Sequence, residues 1–137
     1  MPHSLKLLFV CVENSNRSQM SQAFARIVGA ELGIAVDAYS AGSKPSGIVN
    51  PKAIAAMAEL GYDLSTHDSK SLDDVPHTGY DAVVTMGCGD ACPFVEGRLH
   101  EDWALPDPKH MEPTEFNTVR DEIRTRMTDL LKRLTGP

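Results

Sequence analysis

What this chain lacks narrows its class first. No apolar run approaches the roughly 20 residues needed to span a bilayer. The longest run near the start, Leu5 to Val12, is too short and has no cleavage site after it, so neither membrane insertion nor secretion is expected. No block of Lys or Arg occurs, and the 137 residues carry a net charge of -6. A nucleic-acid partner is therefore not expected, because such a partner requires a basic footprint against its phosphates. Neither Gly-x-x-x-x-Gly-Lys nor Gly-x-Gly-x-x-Gly is present, which removes support for nucleotide binding. Cysteine is scarce, three residues in all, and an odd number does not suit a stapled secreted fold. Reduced cytoplasmic thiols with chemistry or redox sensing fit better. Cys88-x-x-x-Cys92 has no second close pair to complete a zinc site, so no metal and no cofactor are expected.

What remains is an ordinary globular composition, 42% hydrophobic and 23% charged, at a length suited to one domain with one core. Leu5 to Val10 is a nearly continuous apolar run of the kind a buried parallel strand requires. Met20, Phe24, Ile27 and Val28 then recur on one side of a helix that ends near Gly29 to Gly33. Ile34 to Tyr39 reads as a second strand and Ser40 to Asn50 as a loop. Asn50 and Pro51 form a cap and first turn, followed by an apolar face through Ile54, Met57, Ala58 and Leu60. Tyr62 to Pro76 reads as loop with a short helix around Ser71 to Val75. Ala82 to Met86 is a third strand, and a short fourth lies within Arg98 to Trp103. Val119, Ile123, Met127, Leu130, Leu131 and Leu134 make an amphipathic helix over Thr114 to Lys132. Strands alternating with helices predict one α/β domain built on a parallel sheet. In such sheets the ligand crevice lies beyond the carboxyl ends of the strands, and Cys11 and Cys88 both follow predicted strands.

The segment Cys11-Val12-Glu13-Asn14-Ser15-Asn16-Arg17-Ser18 carries the chemistry. Between a strand and a helix, its backbone N–H groups can converge on one anion, with the helix's first amides adding positive potential. Arg17 supplies a planar fork for two oxygens of a tetrahedral oxyanion. In that field Cys11 is expected as a nucleophilic thiolate, with Ser18 donating to its sulfur. Asn14 and Ser15 would hold the loop's turns. A lone cysteine is more often a buried, inert thiol; the whole Cys, five residues, Arg-Ser arrangement in this position reverses that weighting. His67 and His77 have no metal-ligand spacing and read as loop or surface residues. Trp103 reads as packing for the loop that carries Asp107.

Cys11 to Arg26, CVENSNRSQMSQAFAR, resembles the signature of the low-molecular-weight protein tyrosine phosphatase superfamily, in particular its thioredoxin-coupled arsenate reductase branch. The likeness continues through Tyr39-Ser40-Ala41-Gly42-Ser43, Val49 to Ile54, Asp63 to His67, Val83 to Cys88, Cys92-Pro93, Glu101-Asp102-Trp103, Asp107-Pro108 and Val119 to Ile123, nearly the whole chain. It implies a four-stranded parallel sheet flanked by helices in a single domain over 1–137. It also implies reduction of arsenate to arsenite, with Cys11 as nucleophile, Arg17 and Ser18 in the anion loop, Asp107 as general acid, and Cys88 and Cys92 relaying the oxidation to thioredoxin or a glutaredoxin-type donor. Phosphate or sulfate would mimic the substrate, Asn14 and Ser40 would support the loop, and the protein would be a cytoplasmic monomer.

Two departures stand out. Asn16 replaces a further cysteine that the relay does not use. Members that bind potassium use Asn, Glu, Ser and Asp where this chain has Asn14, Gln22, Ser40 and Lys70; with two carboxylates gone and an ammonium present, no potassium site is expected. The competing readings are a phosphatase that hydrolyses phosphomonoesters through a Cys11 phosphoenzyme, and a non-enzymatic thiol or anion-binding regulator. The cysteine pair argues for reduction, since As(V) needs two electrons and hydrolysis needs no second thiol. Lys109-His110 after Asp107-Pro108, with no aromatic before Phe116, argues for a small inorganic substrate.

Overall fold

The first strand is apolar at almost every position because both its faces are covered. In the structure, a computed structural model that describes residues 4–87 and 94–136, β1 runs Leu5–Cys11. Side chains alternate across a strand, and here Leu5, Leu7, Phe9 and Cys11 enter the larger hydrophobic cluster. Leu8 and Val10 enter a smaller one on the opposite face. The sheet is completed by β2 (Val36–Gly42), β3 (Tyr80–Thr85) and β4 (Gly97–Asp102). All neighbours are parallel, in the order β2-β1-β3-β4. The expected α/β domain with a four-stranded parallel sheet is present.

Three helices, α1 (Arg17–Leu32), α2 (Pro51–Ala58) and α3 (Pro113–Thr135), supply the larger cluster through Met20, Phe24, Met57, Phe116, Ile123 and Met127. The smaller cluster is covered by Leu72 and Val75, around a 3-10 turn at Leu72–Asp74 whose Ser71 and Asp74 cap one another. A second 3-10 turn, Leu64–Thr66, starts at Asp63, whose side chain accepts from the Ser65 N–H. Asn50 caps α2 by accepting from the Lys52 N–H, with Pro51 at the first turn, as the sequence predicts.

The second strand begins later and ends later than its apolar pattern suggests. Gly33 adopts φ 69° after α1, a conformation glycine reaches without a Cβ penalty. This brings the Ile34 N–H onto the Gly29 carbonyl at 2.8 Å. Ile34 therefore belongs to the helix terminus and not to the strand. At the other end, Ser40, Ala41 and Gly42 pair with Phe9, Val10 and Cys11, so the loop begins only after Gly42. A Cβ at Gly42 would lie 2.5 Å from the Val12 carbonyl oxygen; the close approach of β2 to the segment after β1 requires glycine there. Among the described residues, no helix is long and apolar enough to cross a membrane.

Candidate active site

The segment between β1 and α1 turns its carbonyls outward. The carbonyls of Cys11, Val12 and Glu13 accept from the N–H groups of Ser43, Lys44 and Ser46 at 3.3, 2.8 and 3.0 Å, and that of Ser15 accepts from Asn50 at 3.1 Å. The Asn14 carbonyl accepts from Gln19 Nε2 at 3.0 Å. With the carbonyls engaged by neighbouring segments, the N–H groups of residues 13–18 meet no protein acceptor among the described residues and are free to hold an anion. Asn16, which precedes α1, makes no side-chain cap bond, so the helix's first amides are likewise open to an anion. Ser15 Oγ donates to the Ile48 carbonyl at 2.9 Å and ties the segment to the chain before α2.

The loop encloses one wall of a cleft of about 280 Å³ lined by Cys11, Val12, Glu13, Ser15, Asn16, Arg17, Asp107 and Lys109. Cys11 is 3% exposed, and its Sγ lies 2.9 Å from Ser18 Oγ. Asn14 takes the left-handed φ of 50°, unusual outside glycine, and is held by its own side chain. Its Nδ2 donates to Ser18 Oγ at 2.8 Å, while its Oδ1 accepts from Gln19 Nε2 and from the Lys70 N–H, both at 2.9 Å.

Arg17 joins three segments. Its Nη1 donates to the Met86 carbonyl after β3 and to the Leu105 carbonyl in the loop before Asp107, each at 2.8 Å. Asp107 is exposed at the cleft, and its Oδ1 accepts from the Lys109 N–H at 3.0 Å. That bond belongs to a turn aspartate; it also fixes the direction of the carboxyl group. Lys109 Nζ reaches back to Glu13 at 3.2 Å, spanning the mouth between the two loops. Trp103 is buried beside Phe9, with ring centroids 6.1 Å apart, and its Nε1 donates to Glu101 at 3.0 Å. Cys88 and Cys92 lie outside the described residues; Gly87, next to Cys88, is placed beside Arg17 and Leu105.

A family model, that of the low molecular weight phosphotyrosine protein phosphatase, matches residues 6–136. The chain belongs to this family. The similarity is strong to its arsenate reductases. The glutaredoxin arsenate reductase of Synechocystis sp. is 38% identical over 133 residues, covering 95% of this chain and 98% of the relative. A solved arsenate reductase in its phosphate-binding state superposes with a TM-score of 0.85 at 36% identity, over 96% of this chain and 99% of the other. The thioredoxin-dependent arsenate reductase of Corynebacterium glutamicum gives a TM-score of 0.74 at 31% identity, over 97% of this chain and 62% of that one.

The family's potassium-binding members provide a test of fit. Here Ser40 Oγ donates to Gln22 Oε1 at 2.6 Å and Gln22 Nε2 to the Ala38 carbonyl at 3.1 Å, so Ser40 braces β2 against α1; among the described residues its hydroxyl makes no hydrogen bond to residues 12–18. Lys70 Nζ donates to the Asp68 carbonyl at 2.8 Å. The oxygens nearest the loop, on Asn14 and Asp68, already face N–H donors from Gln19 and Lys70. This donor set does not suit a cation. Among the described residues no group of His, Cys, Asp and Glu is placed to hold a metal ion.

His67 corrects the reading of an isolated loop or surface histidine. It is 9% exposed, with Nδ1 3.0 Å from Gln19 Oε1 and Nε2 2.6 Å from the Tyr62 hydroxyl. Burial, then the nearby charges of Arg26 and Lys70, push its pKa down to about 4. Burial also lowers the pKa of Lys70. Gln19 and His67 escaped sequence reasoning because neither belongs to the Cys-x-x-x-x-x-Arg pattern, and they meet across 48 positions of chain. The available signal was Gln19 itself, a polar residue immediately after the Arg-Ser pair and on the helix's buried side.

Proposed function

We propose that the chain is a cytoplasmic arsenate reductase that works through a three-thiol relay, with thioredoxin as the reductant. The observation that carries this reading is the single cleft lined by Cys11, Arg17, Asp107 and loop residues whose N–H groups meet no protein acceptor, with the residue preceding Cys88 beside Arg17. The free loop amides and the guanidinium hold the oxyanion, and the Cys11 thiolate attacks arsenic in line. Asp107 Oδ2, left free by the turn bond of Oδ1, protonates the departing oxygen. Cys88 then attacks the Cys11 sulfur, the S–As bonding pair stays on arsenic, and arsenite leaves with a Cys11–Cys88 disulfide behind it. The two electrons that take As(V) to As(III) come from the two thiols. Cys92 attacks Cys88, freeing Cys11, and an external dithiol reduces the Cys88–Cys92 disulfide.

Phosphomonoester hydrolysis is the second reading, because its first step needs the same cleft and the same in-line attack. The Glu13–Lys109 pair across the mouth favours a compact inorganic oxyanion over an aryl phosphate. The test is arsenate-dependent NADPH oxidation with thioredoxin and glutaredoxin systems run in parallel, joined to mass spectrometry of one turnover without reductant. Wild type should accumulate Cys88–Cys92, and Cys92→Ser should stop at Cys11–Cys88 with one arsenite released. Normal turnover of Cys92→Ser with thioredoxin would remove Cys92 from the relay. Turnover only with glutaredoxin would change the donor and leave the chemistry.

A further inference from the structure

Behind the anion loop a line of hydrogen bonds runs from the surface to the nucleophile, and its polarity can be assigned from end to end. Asn14 Oδ1 accepts from the Lys70 backbone N–H at 2.9 Å, which identifies that atom as the oxygen. Gln19 Nε2 points at three oxygens, the Asn14 carbonyl (3.0 Å), Asn14 Oδ1 (2.9 Å) and the Asp68 carbonyl (2.9 Å). Two of these are backbone acceptors, so the carboxamide can sit only this way round. Its oxygen then faces His67 Nδ1 at 3.0 Å, and Nδ1 must carry the imidazole hydrogen. His67 Nε2 is left as an acceptor, with the Tyr62 hydroxyl at 2.6 Å and Arg26 Nη1 at 3.2 Å. Downstream, Asn14 Nδ2 donates to Ser18 Oγ at 2.8 Å. The Ser18 hydroxyl hydrogen is thereby turned to Cys11 Sγ, 2.9 Å away.

We propose that Gln19 is a positioning residue for the Cys11 thiolate, acting through Asn14 and Ser18, with His67 locking its carboxamide in the working orientation. The proposal rests on the reading of Cys11 as the nucleophile. Asn14 occupies a left-handed conformation that costs a non-glycine residue energy unless its surroundings hold it. Gln19 holds it at two atoms, the main-chain carbonyl and the side-chain oxygen. If the carboxamide were reversed or removed, Asn14 Oδ1 would lose one of its two donors, and nothing would oblige Asn14 to present its NH2 to Ser18. Ser18 could then donate to Asn14 in place of sulfur, and a thiolate without that donor is less favoured. Gln19, Asn14 and Ser18 are each fully buried, so water does not compete for these bonds.

The experiment measures alkylation of Cys11 by iodoacetamide as a function of pH in full-length Cys88→Ser/Cys92→Ser protein, which leaves one thiol. It needs no arsenate, so its failure is separable from failure of the reductase assay. The charged and titratable groups facing Cys11 and the network, Arg17, Asp107, Glu13, Lys109, Arg26, Asp68, Lys70 and the neutral His67, are unchanged in Gln19→Leu. In Gln19→Leu the pH at half-maximal rate should rise by about one unit or more while the protein still melts cooperatively. Turnover of arsenate in the three-thiol enzyme should fall at least tenfold through kcat more than KM. A folded variant that melts lower with an unmoved midpoint would reduce Gln19 to packing and overturn the proposal. Nitrogen chemical shifts of His67 in the wild-type protein give a check that needs no variant at Gln19. An Nδ1–H tautomer is required, and an Nε2–H tautomer would overturn the assigned polarity.

Discussion

The two walls of the cleft are built to different standards. The Cys11 wall is largely buried and braced from behind: its carbonyls are satisfied by neighbouring segments, Asn14 is held at three atoms, and His67 and Gln19 back it from within. The Asp107 wall is exposed, and its links to the anion loop and Arg17 are the Leu105 carbonyl to Arg17 and the Lys109–Glu13 ion pair. The difference matches two chemical requirements. Stabilising a thiolate and a bound oxyanion needs donors fixed before the substrate arrives, since reorganising them would cost part of the stabilisation. A general acid must instead reach an oxygen that moves as the bond breaks, and a loop held by a few contacts can adjust. Arg17 belongs to both walls, so on the proposed reading anion binding and loop position are linked through one guanidinium.

The sharpest way to separate the walls is Asp107→Asn. The acid wall should lose its proton donor while the anion wall stays intact, so turnover should fall by about 10²–10⁴-fold. Phosphate should still inhibit with nearly the wild-type constant, and near wild-type turnover across the pH range would remove Asp107 from the acid role.

Acid should attack the other wall first. The folded-state pKa of His67, about 4, lies below the ordinary imidazole value of 6.5. Between these values the unfolded chain takes up a proton that the folded chain refuses. Stability therefore rises with pH across that window and is lost as pH falls from 6.5 towards 4, by roughly 2 kcal/mol from this residue. Urea midpoints at pH 7 and pH 5 should differ less in His67→Gln than in wild type; equal differences would mean that His67 is not held neutral.

A smaller effect is expected at the rim. Glu13 and Lys109 are both more than a third exposed, and such pairs contribute at most about 1 kcal/mol. Lys109→Ala should leave the melting temperature nearly unchanged and raise p-nitrophenyl phosphate hydrolysis relative to arsenate reduction. An unchanged ratio would show that the pair does not set the width of the mouth. The smallest effect should come from potassium. With donors from Gln19 and Lys70 already on the Asn14 and Asp68 oxygens, neither melting temperature nor activity should respond beyond sodium or choline controls. A potassium-specific rise would overturn this.

Local pattern made much of the molecule legible. The apolar run of β1, the Asn50-Pro51 start of α2 and the stripe of α3 each follow from the chain's own periodicity or backbone chemistry, and the structure has all three. The fourth strand was harder to see because Gly97–Asp102 alternates intermediate and exposed positions at an edge of the sheet and so carries little hydrophobic signal. The second strand starts later than its composition suggests: Ile34 has strand character, yet the glycine turn commits its N–H to the helix.

The sequence by itself determined the α/β class, the proposed anion loop from Cys11 to Ser18 and the presence of Asp107, because each is written in contiguous residues whose spacing has a direct physical meaning. Only the tertiary structure decided that His67 is buried, that Gln19 rather than Ser40 braces the loop, and that Lys109 closes on Glu13. Those contacts join residues 48, 5 and 96 positions apart. The two long-range ones depend on β1 and its neighbours delivering separate loops to one end of the sheet. The short one, from Gln19 to Asn14, depends on which face of α1 is turned inward and on a left-handed residue that no local propensity favours.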